Sequence, residues 1–156
     1  MTDVQFMRRA IEISREKMNA NQGGPFGAVI VRDGAIISEG WNQVTSSNDP
    51  TAHAEVVAIR DACRRLGGFS LAGCEIYTSC EPCPMCLAAI YWARLERIHY
   101  ANARADAAAI GFDDSHIYDE IALPIARRAI PMRRVLPDEA AAVFREWDAK
   151  PDKIRY

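Results

Sequence analysis

Two short stretches, His53-Ala54-Glu55 and Pro82-Cys83-Pro84-Met85-Cys86, constrain this chain more than any others. One imidazole and two thiolates make a ligand set suited to a tetrahedral zinc ion, with the fourth position left to water. For that set to close, segments far apart in sequence must meet at one point. Cys83 and Cys86 stand at i and i+3, so at the start of a helix their sulfurs share a face. The positive end of such a helix lowers thiol pKa values and helps keep both ligands deprotonated. His53 stands similarly, at the opening of the preceding predicted helix.

Glu55 makes the arrangement catalytic. Two positions beyond the histidine, it can point into the same cavity without binding the metal. There it can take a proton from metal-bound water and pass it to a substrate. Plainer readings compete. A histidine in a helix is ordinarily structural, and an isolated Cys-x-x-Cys can be a redox pair or half of a zinc knuckle. The sharpest competitor is a closed structural site with Cys80 as fourth ligand. Cys80, however, precedes Pro82 at the end of a predicted strand, off the helical face of the other two, and a structural site leaves Glu55 without a role. Cys63 and Cys74 read as small buried residues.

The 156 residues fit one domain with one sizeable core. Nineteen basic and twenty-one acidic residues leave a charge of −2, so there is no global pull toward phosphates and a small, weakly charged substrate is the simpler expectation. No stretch approaches the roughly 18–20 apolar residues that span a bilayer, and Asp3, Arg8 and Arg9 interrupt any signal-peptide pattern. A cytoplasmic location is expected. An odd cysteine count, five, with Cys80, Cys83 and Cys86 close together, suits thiolate metal chemistry rather than a disulfide framework.

Along the chain, Val4, Met7, Ala10, Ile11 and Met18 predict a helix over 4–18, capped by Thr2 or Asp3. A Gly-rich turn over 21–25 leads to a buried strand over 26–31, an Asp33-Gly34 turn and a partner strand over 35–41. A loop is expected over 45–50, a helix over 51–66 ended by Gly67-Gly68, a strand over 75–79 and a helix over 82–93 with prolines near its start. A short strand over 97–100, an alanine-rich stretch over 103–109, a short helix over 117–123, a last strand over 130–136 interrupted by Pro131, and a helix over 137–147 complete the chain. This order predicts an α/β fold, a mixed sheet covered by helices on both faces in an α/β/α sandwich.

His-x-Glu with Pro-Cys-x-x-Cys is an established signature of zinc deaminases of nucleobases. The chain resembles the cytidine and deoxycytidylate deaminase superfamily through Thr51-Ala52-His53-Ala54-Glu55-Val56 and Thr78-Ser79-Cys80-Glu81-Pro82-Cys83-Pro84-Met85-Cys86. Within it, the chain is similar to the small zinc-binding guanine deaminases of bacteria through Gly23-Gly24-Pro25-Phe26-Gly27-Ala28, Asn42, Gly111-Phe112-Asp113-Asp114 and the terminal Tyr156. The likeness runs over nearly the whole chain. It implies a mixed five-stranded sheet between helices, one zinc ion per subunit held by His53, Cys83 and Cys86, and Glu55 as proton shuttle. It also implies that Asn42 and the Ala54 backbone hold a purine's polar edges, that Phe26 and Trp92 line the pocket, and that Asp114 lies near the amino group. Relatives of this kind form homodimers whose C-terminal segment, here about 137–156, crosses to the partner, so Tyr156 is expected to close the neighbour's site.

Guanine presents N1–H and the N2 amino group as donors, and O6 and N7 as acceptors. An ionised Asp114 suits the donor edge, and Asn42, with both kinds of group, suits the other. The expected reaction of purine catabolism is hydrolytic attack at C2, protonation of N3 by Glu55 and departure of ammonia protonated by the same carboxylate, leaving xanthine. Asp113 is better read as a helix cap. The alternatives are deamination of guanosine or another aminated heterocycle, deamination of tRNA adenosine, which needs a basic groove that Arg127, Arg128, Arg133 and Arg134 only weakly suggest, and a structural zinc module without activity.

Overall fold

The computed structural model describes residues 2–156. They form two compact units, one ending at Asp114 and the other spanning Ser115–Tyr156. Helix α1 (Asp3–Asn19) opens the first unit. The Thr2 backbone N–H donates to the Gln5 side chain at 2.8 Å, closing its first turn. Strands β1 (Gly27–Arg32) and β2 (Ala35–Trp41) follow as a hairpin. Its turn residues Asp33 and Gly34 both take positive φ, 51° and 76°, as a tight hairpin turn requires. Then come α2 (Val44–Ser47), α3 (Ala54–Leu66), β3 (Cys74–Cys80), α4 (Pro84–Trp92), β4 (Arg97–Asn102) and α5 (Arg104–Ala109).

The sheet order is β2-β1-β3-β4, with β1 antiparallel to both neighbours and β3 parallel to β4. Successive side chains of β1 point to opposite faces and divide the core in two. Ala28 and Ile30 join Ile76 of β3, Ala54, Ala58 and Ala62 of α3, and Ile90 at the end of α4. Val29 and Val31 join Tyr77 and Phe6, Ala10 and Ile13 of α1. Helices therefore cover both faces, as expected of an α/β/α sandwich. Of the row anticipated from Val4, Met7, Ala10, Ile11 and Met18, Ala10 is buried and Met7 packs partly buried beside it, but Phe6 and Ile13 fill the rest of the buried face. Val4 is 63 % and Met18 41 % exposed, because the Phe6 ring packs on Tyr77 at 5.2 Å and fixes the helix by that face.

Three expectations about elements need correcting. The 45–50 loop is partly helical, since α2 occupies Val44–Ser47 and stops at Asn48 in a left-handed conformation. Helix α3 starts at Ala54, not at 51, and α4 at Pro84, not at 82; His53 and Cys83 are their extended N-caps. The sheet has four strands, not five. The second unit consists of α6 (Ser115–Ala122), a 3-10 turn (Ile125–Arg127) and α7 (Pro137–Ala149), and residues 128–136 between them form no strand. Pro131 has no N–H to give a ladder, and this unit offers no second strand to pair with.

Candidate metal centre and active site

The N-termini of α3 and α4 position the ligands. His53 is the N-cap of α3 (φ −69°, ψ 156°), and Cys83 is the N-cap of α4 (φ −66°, ψ 169°), with Pro84 opening the helix behind it. Cys86 lies in that first helical turn. Nδ1 of His53 is 3.5 Å from Sγ of Cys83 and 3.5 Å from Sγ of Cys86. The three ligand atoms all lie within 4.8 Å of one another. A zinc ion about 2.3 Å from sulfur and about 2.0 Å from nitrogen, with tetrahedral angles, sets each N···S edge at about 3.5 Å. The residues present fit such an ion. Cys80 and Glu55 are not in the group. Cys80 instead directs its thiol to the Ala103 carbonyl at 4.0 Å, and burial, then the neighbouring carboxylates, pushes it up to about 11. The closed four-ligand arrangement is not formed.

Charge is concentrated at this point. A hydrogen bond from the Cys86 thiol pulls Cys83 down to about 4, with His53 adding to the effect and burial opposing it. Cys86 is pushed up because it is the donor to Cys83 and is buried. The Cys83 thiolate raises His53. Both sulfurs must be deprotonated to bind a divalent cation, so its binding would release protons from this group.

Glu55, in the first turn of α3, is buried with 6 % exposure. Burial pushes its carboxyl above the ordinary range, and its own backbone N–H opposes the shift. Thr78, on the β3 face shared with Ile76 and Cys80, has its Oγ1 3.3 Å from Glu55 Oε1 and 3.0 Å from the Cys80 carbonyl. A hydroxyl has one proton to give. Thr78 can donate it to an ionised Glu55, or to the carbonyl while accepting from a protonated Glu55. Sequence reasoning missed Thr78. Its signal was the inward alternation Ile76, Thr78, Cys80.

Asn42 is nearly buried, at the end of β2. Its Oδ1 accepts from the backbone N–H groups of Gly24 at 3.3 Å and Val44 at 3.2 Å, while the Asn42 backbone N–H donates to the Phe26 carbonyl at 3.1 Å. The amide is thereby held in one rotation, with Nδ2 as its remaining donor. The turn around it needs Gly23, whose φ is +152° and where a Cβ would lie 1.6 Å from the Asn42 carbonyl oxygen. Phe26 meets Phe112 edge to face at 4.9 Å, which ties the 110–114 loop to the Gly-rich turn; Phe112 was not among the expected pocket residues. Asp114 Oδ1 accepts from Arg104 Nε at 3.3 Å, a partner the sequence did not suggest. The Ala54 side chain is fully buried in the core with Ala28, Ile30 and Ile76, which leaves its backbone as the part that can face a ligand. Trp92 is 70 % exposed at the far end of α4, six residues and about 9 Å along the helix from Cys86. Tyr156 lies in the second unit and is exposed.

The cytidine and deoxycytidylate deaminase zinc-binding region matches residues 1–102. The chain belongs to the cytidine and deoxycytidylate deaminase family. Among members of this family, it is 55 % identical to the guanine deaminase of Bacillus subtilis over 156 residues, all of both chains. The X-ray structure of that guanine deaminase superposes with a TM-score of 0.97, covering 100 % of this chain and 99 % of the other. A tRNA-specific adenosine deaminase of Aquifex aeolicus is 47 % identical over 89 residues, 56 % of this chain and 59 % of that one. The family's shared core is thus held in common with tRNA deaminases, while the full-length likeness runs to a guanine deaminase.

Proposed function

We infer that this chain is a guanine deaminase: it hydrolyses the exocyclic amino group of guanine to give xanthine and ammonia. The observation that carries this reading is the 55 % identity to the Bacillus subtilis enzyme over every residue of both chains, together with a buried carboxylate, Glu55, standing beside a three-member ligand group without joining it. An inert zinc module has no use for that carboxylate. The tRNA reading draws on likeness to little more than half the chain.

His53, Cys83 and Cys86 would hold one zinc ion per subunit, which would supply Lewis acidity and a water nucleophile at neutral pH. Glu55 takes one proton from the water that attacks C2 and delivers it to N3; it then takes the second from the hydroxyl now on C2 and passes it to the amine, which leaves as ammonia while the C2 carbonyl forms. Its burial and its two-state bond to Thr78 support this role. Asn42, with its Oδ1 engaged by two backbone N–H groups, offers Nδ2 to an acceptor on the purine, O6 or N7. The backbone at Ala54 holds a second polar edge. Asp114 accepts from the donor edge, N1–H and the amino group, and Phe26 lies against the base. Trp92 and Tyr156 complete the pocket as parts of a homodimer in which the segment of about 137–156 is exchanged between subunits. Its support is chemical: α6, the 3-10 turn and α7 bury none of their own residues. Two thiolate ligands favour a reducing compartment, so the reaction, a step of purine catabolism, is assigned to the cytoplasm.

An ammonia-release screen over guanine, adenine, cytosine, amino-triazines and the corresponding nucleosides tests the assignment. Guanine is expected to give the highest kcat/KM. A strong preference for guanosine or another nucleoside overturns the substrate, and absence of release from all of them overturns the enzyme.

A further inference from the structure

Asp114 is not a lone carboxylate on a loop. Its Oδ1 accepts from Arg104 Nε at 3.3 Å, between side chains that are 38 % and 19 % exposed. Arg104 is itself fixed from the other side. It is the first residue of α5, and its backbone N–H donates to Glu81 Oε2 at 3.0 Å. Glu81 lies in the Cys80–Cys83 segment that delivers the ligands, and its own N–H donates to the Asn102 carbonyl at the end of β4 at 2.7 Å. A short chain of hydrogen bonds therefore runs from the ligand turn through Glu81 and Arg104 to Asp114. The loop carrying Asp114 is pinned a second time by Phe112 against Phe26.

We propose that Arg104 is a positioning residue of the deaminase reaction: anchored to the ligand turn by Glu81, its guanidinium holds Asp114 by Oδ1 and leaves Oδ2 to accept from the substrate's donor edge. The inference rests on the role given to Asp114 above and goes beyond it by naming what holds that carboxylate in place. A half-exposed ion pair contributes little to stability, so its geometric effect can be separated from folding. A guanidinium also keeps its plane and charge where an ammonium is a mobile point, so lysine should serve only in part. An error of about 1 Å in placing a group at a reacting centre can cost about a hundredfold in rate.

The test is a double-mutant cycle in the zinc-loaded enzyme, with kcat and KM for guanine measured for Arg104→Ala, Arg104→Lys, Asp114→Asn and Arg104→Ala/Asp114→Asn, alongside Tm and zinc content. Arg104→Ala is expected to lower kcat/KM about 10–100-fold with Tm and zinc unchanged, and Arg104→Lys to recover part of the loss. The double variant is expected to be no worse than about threefold below Asp114→Asn alone, because the two residues act as a unit. Arg104→Ala within twofold of the parent, full losses that simply multiply, or a loss matched by a fall in Tm or zinc, overturns the inference. If the parent releases no ammonia from guanine, the functional reading fails instead, before any variant is compared.

Discussion

At Glu55 a proton can be held or released without leaving either partner unpaired, because Thr78 has a second acceptor in the Cys80 carbonyl to turn to. That is a useful property in a buried shuttle, where an unsatisfied polar group costs about 1–3 kcal/mol. Replacing Glu55 by Gln keeps size and burial but removes the proton traffic. Glu55→Gln is expected to lower kcat by at least about 10²–10⁴-fold, while zinc stays at its parental content, since Glu55 is outside the ligand group. Steady-state ammonia release and metal analysis read both quantities. Retention of a tenth of the parental rate, or loss of zinc, would sink the assignment of Glu55 as an unligated shuttle. His53, Glu55, Cys83 and Cys86 were legible in the sequence because their chemistry demands particular residue types at fixed local spacing. Thr78 and Arg104 were not, because their partners come from other elements, α3 for one and the 110–114 loop for the other, and no local pattern announces them.

The elements that matter most are two helix N-termini brought against one sheet. Helix α3 comes so close to β2 that only glycine fits at position 40. A Cβ there would lie 2.2 Å from the Ala54 carbonyl oxygen and 2.6 Å from the Ala58 nitrogen, both helix backbone that cannot turn aside. Gly40→Ala must therefore push away the turn that carries His53 and Glu55. It is expected to cost about 2 kcal/mol or more in stability, seen as a Tm lower by about 5 °C or more, and to weaken zinc retention against a chelator. Gly68, where an added Cβ meets nothing within 4 Å, is the control; Gly68→Ala should stay within about 0.5 kcal/mol of the parent. Equal behaviour of the two variants in thermal melts would mean that the α3–β2 approach does not set the site. Turn chemistry and hydrophobic alternation made β1, β2, β3 and the end of α3 at Gly67 readable. The face of α1 was read only in part, through Ala10 and Met7, because Phe6 and Ile13 compete with an equally apolar row and the Tyr77 ring on the sheet decides between them. The expected fifth strand failed for want of a neighbour, a property that no segment carries by itself.

For the molecule as a whole, the unit spanning Ser115–Tyr156 poses a physical problem. Its helices bury none of their residues, yet Ile130, Phe144, Ile154 and Tyr156 are all more than 70 % exposed. A segment of this length cannot sustain a core alone, and large apolar side chains left exposed on it are accounted for by a partner. The exchanged homodimer proposed above supplies one, and it makes each active site a joint product of two chains. Co-expression of two differently tagged variants tests that directly. Glu55→Gln removes the shuttle, and Tyr156→Ala removes the residue assigned to the neighbour's pocket. In a mixed dimer one site pairs the intact Glu55 of one chain with the intact Tyr156 of the other. Random pairing makes about half the dimers mixed, each with one native site of two, so the total should reach about a quarter of parental activity. Purified mixed dimers, isolated by both tags, should reach about half. The Glu55→Gln homodimer should be dead and the Tyr156→Ala homodimer slow. If Tyr156 served its own chain's site, each mixed dimer would hold one slow site and one dead one, and its activity could not exceed half that of the Tyr156→Ala homodimer. Provided the Tyr156→Ala homodimer keeps less than half of parental activity, purified mixed dimers exceed both homodimers only if the segment is exchanged.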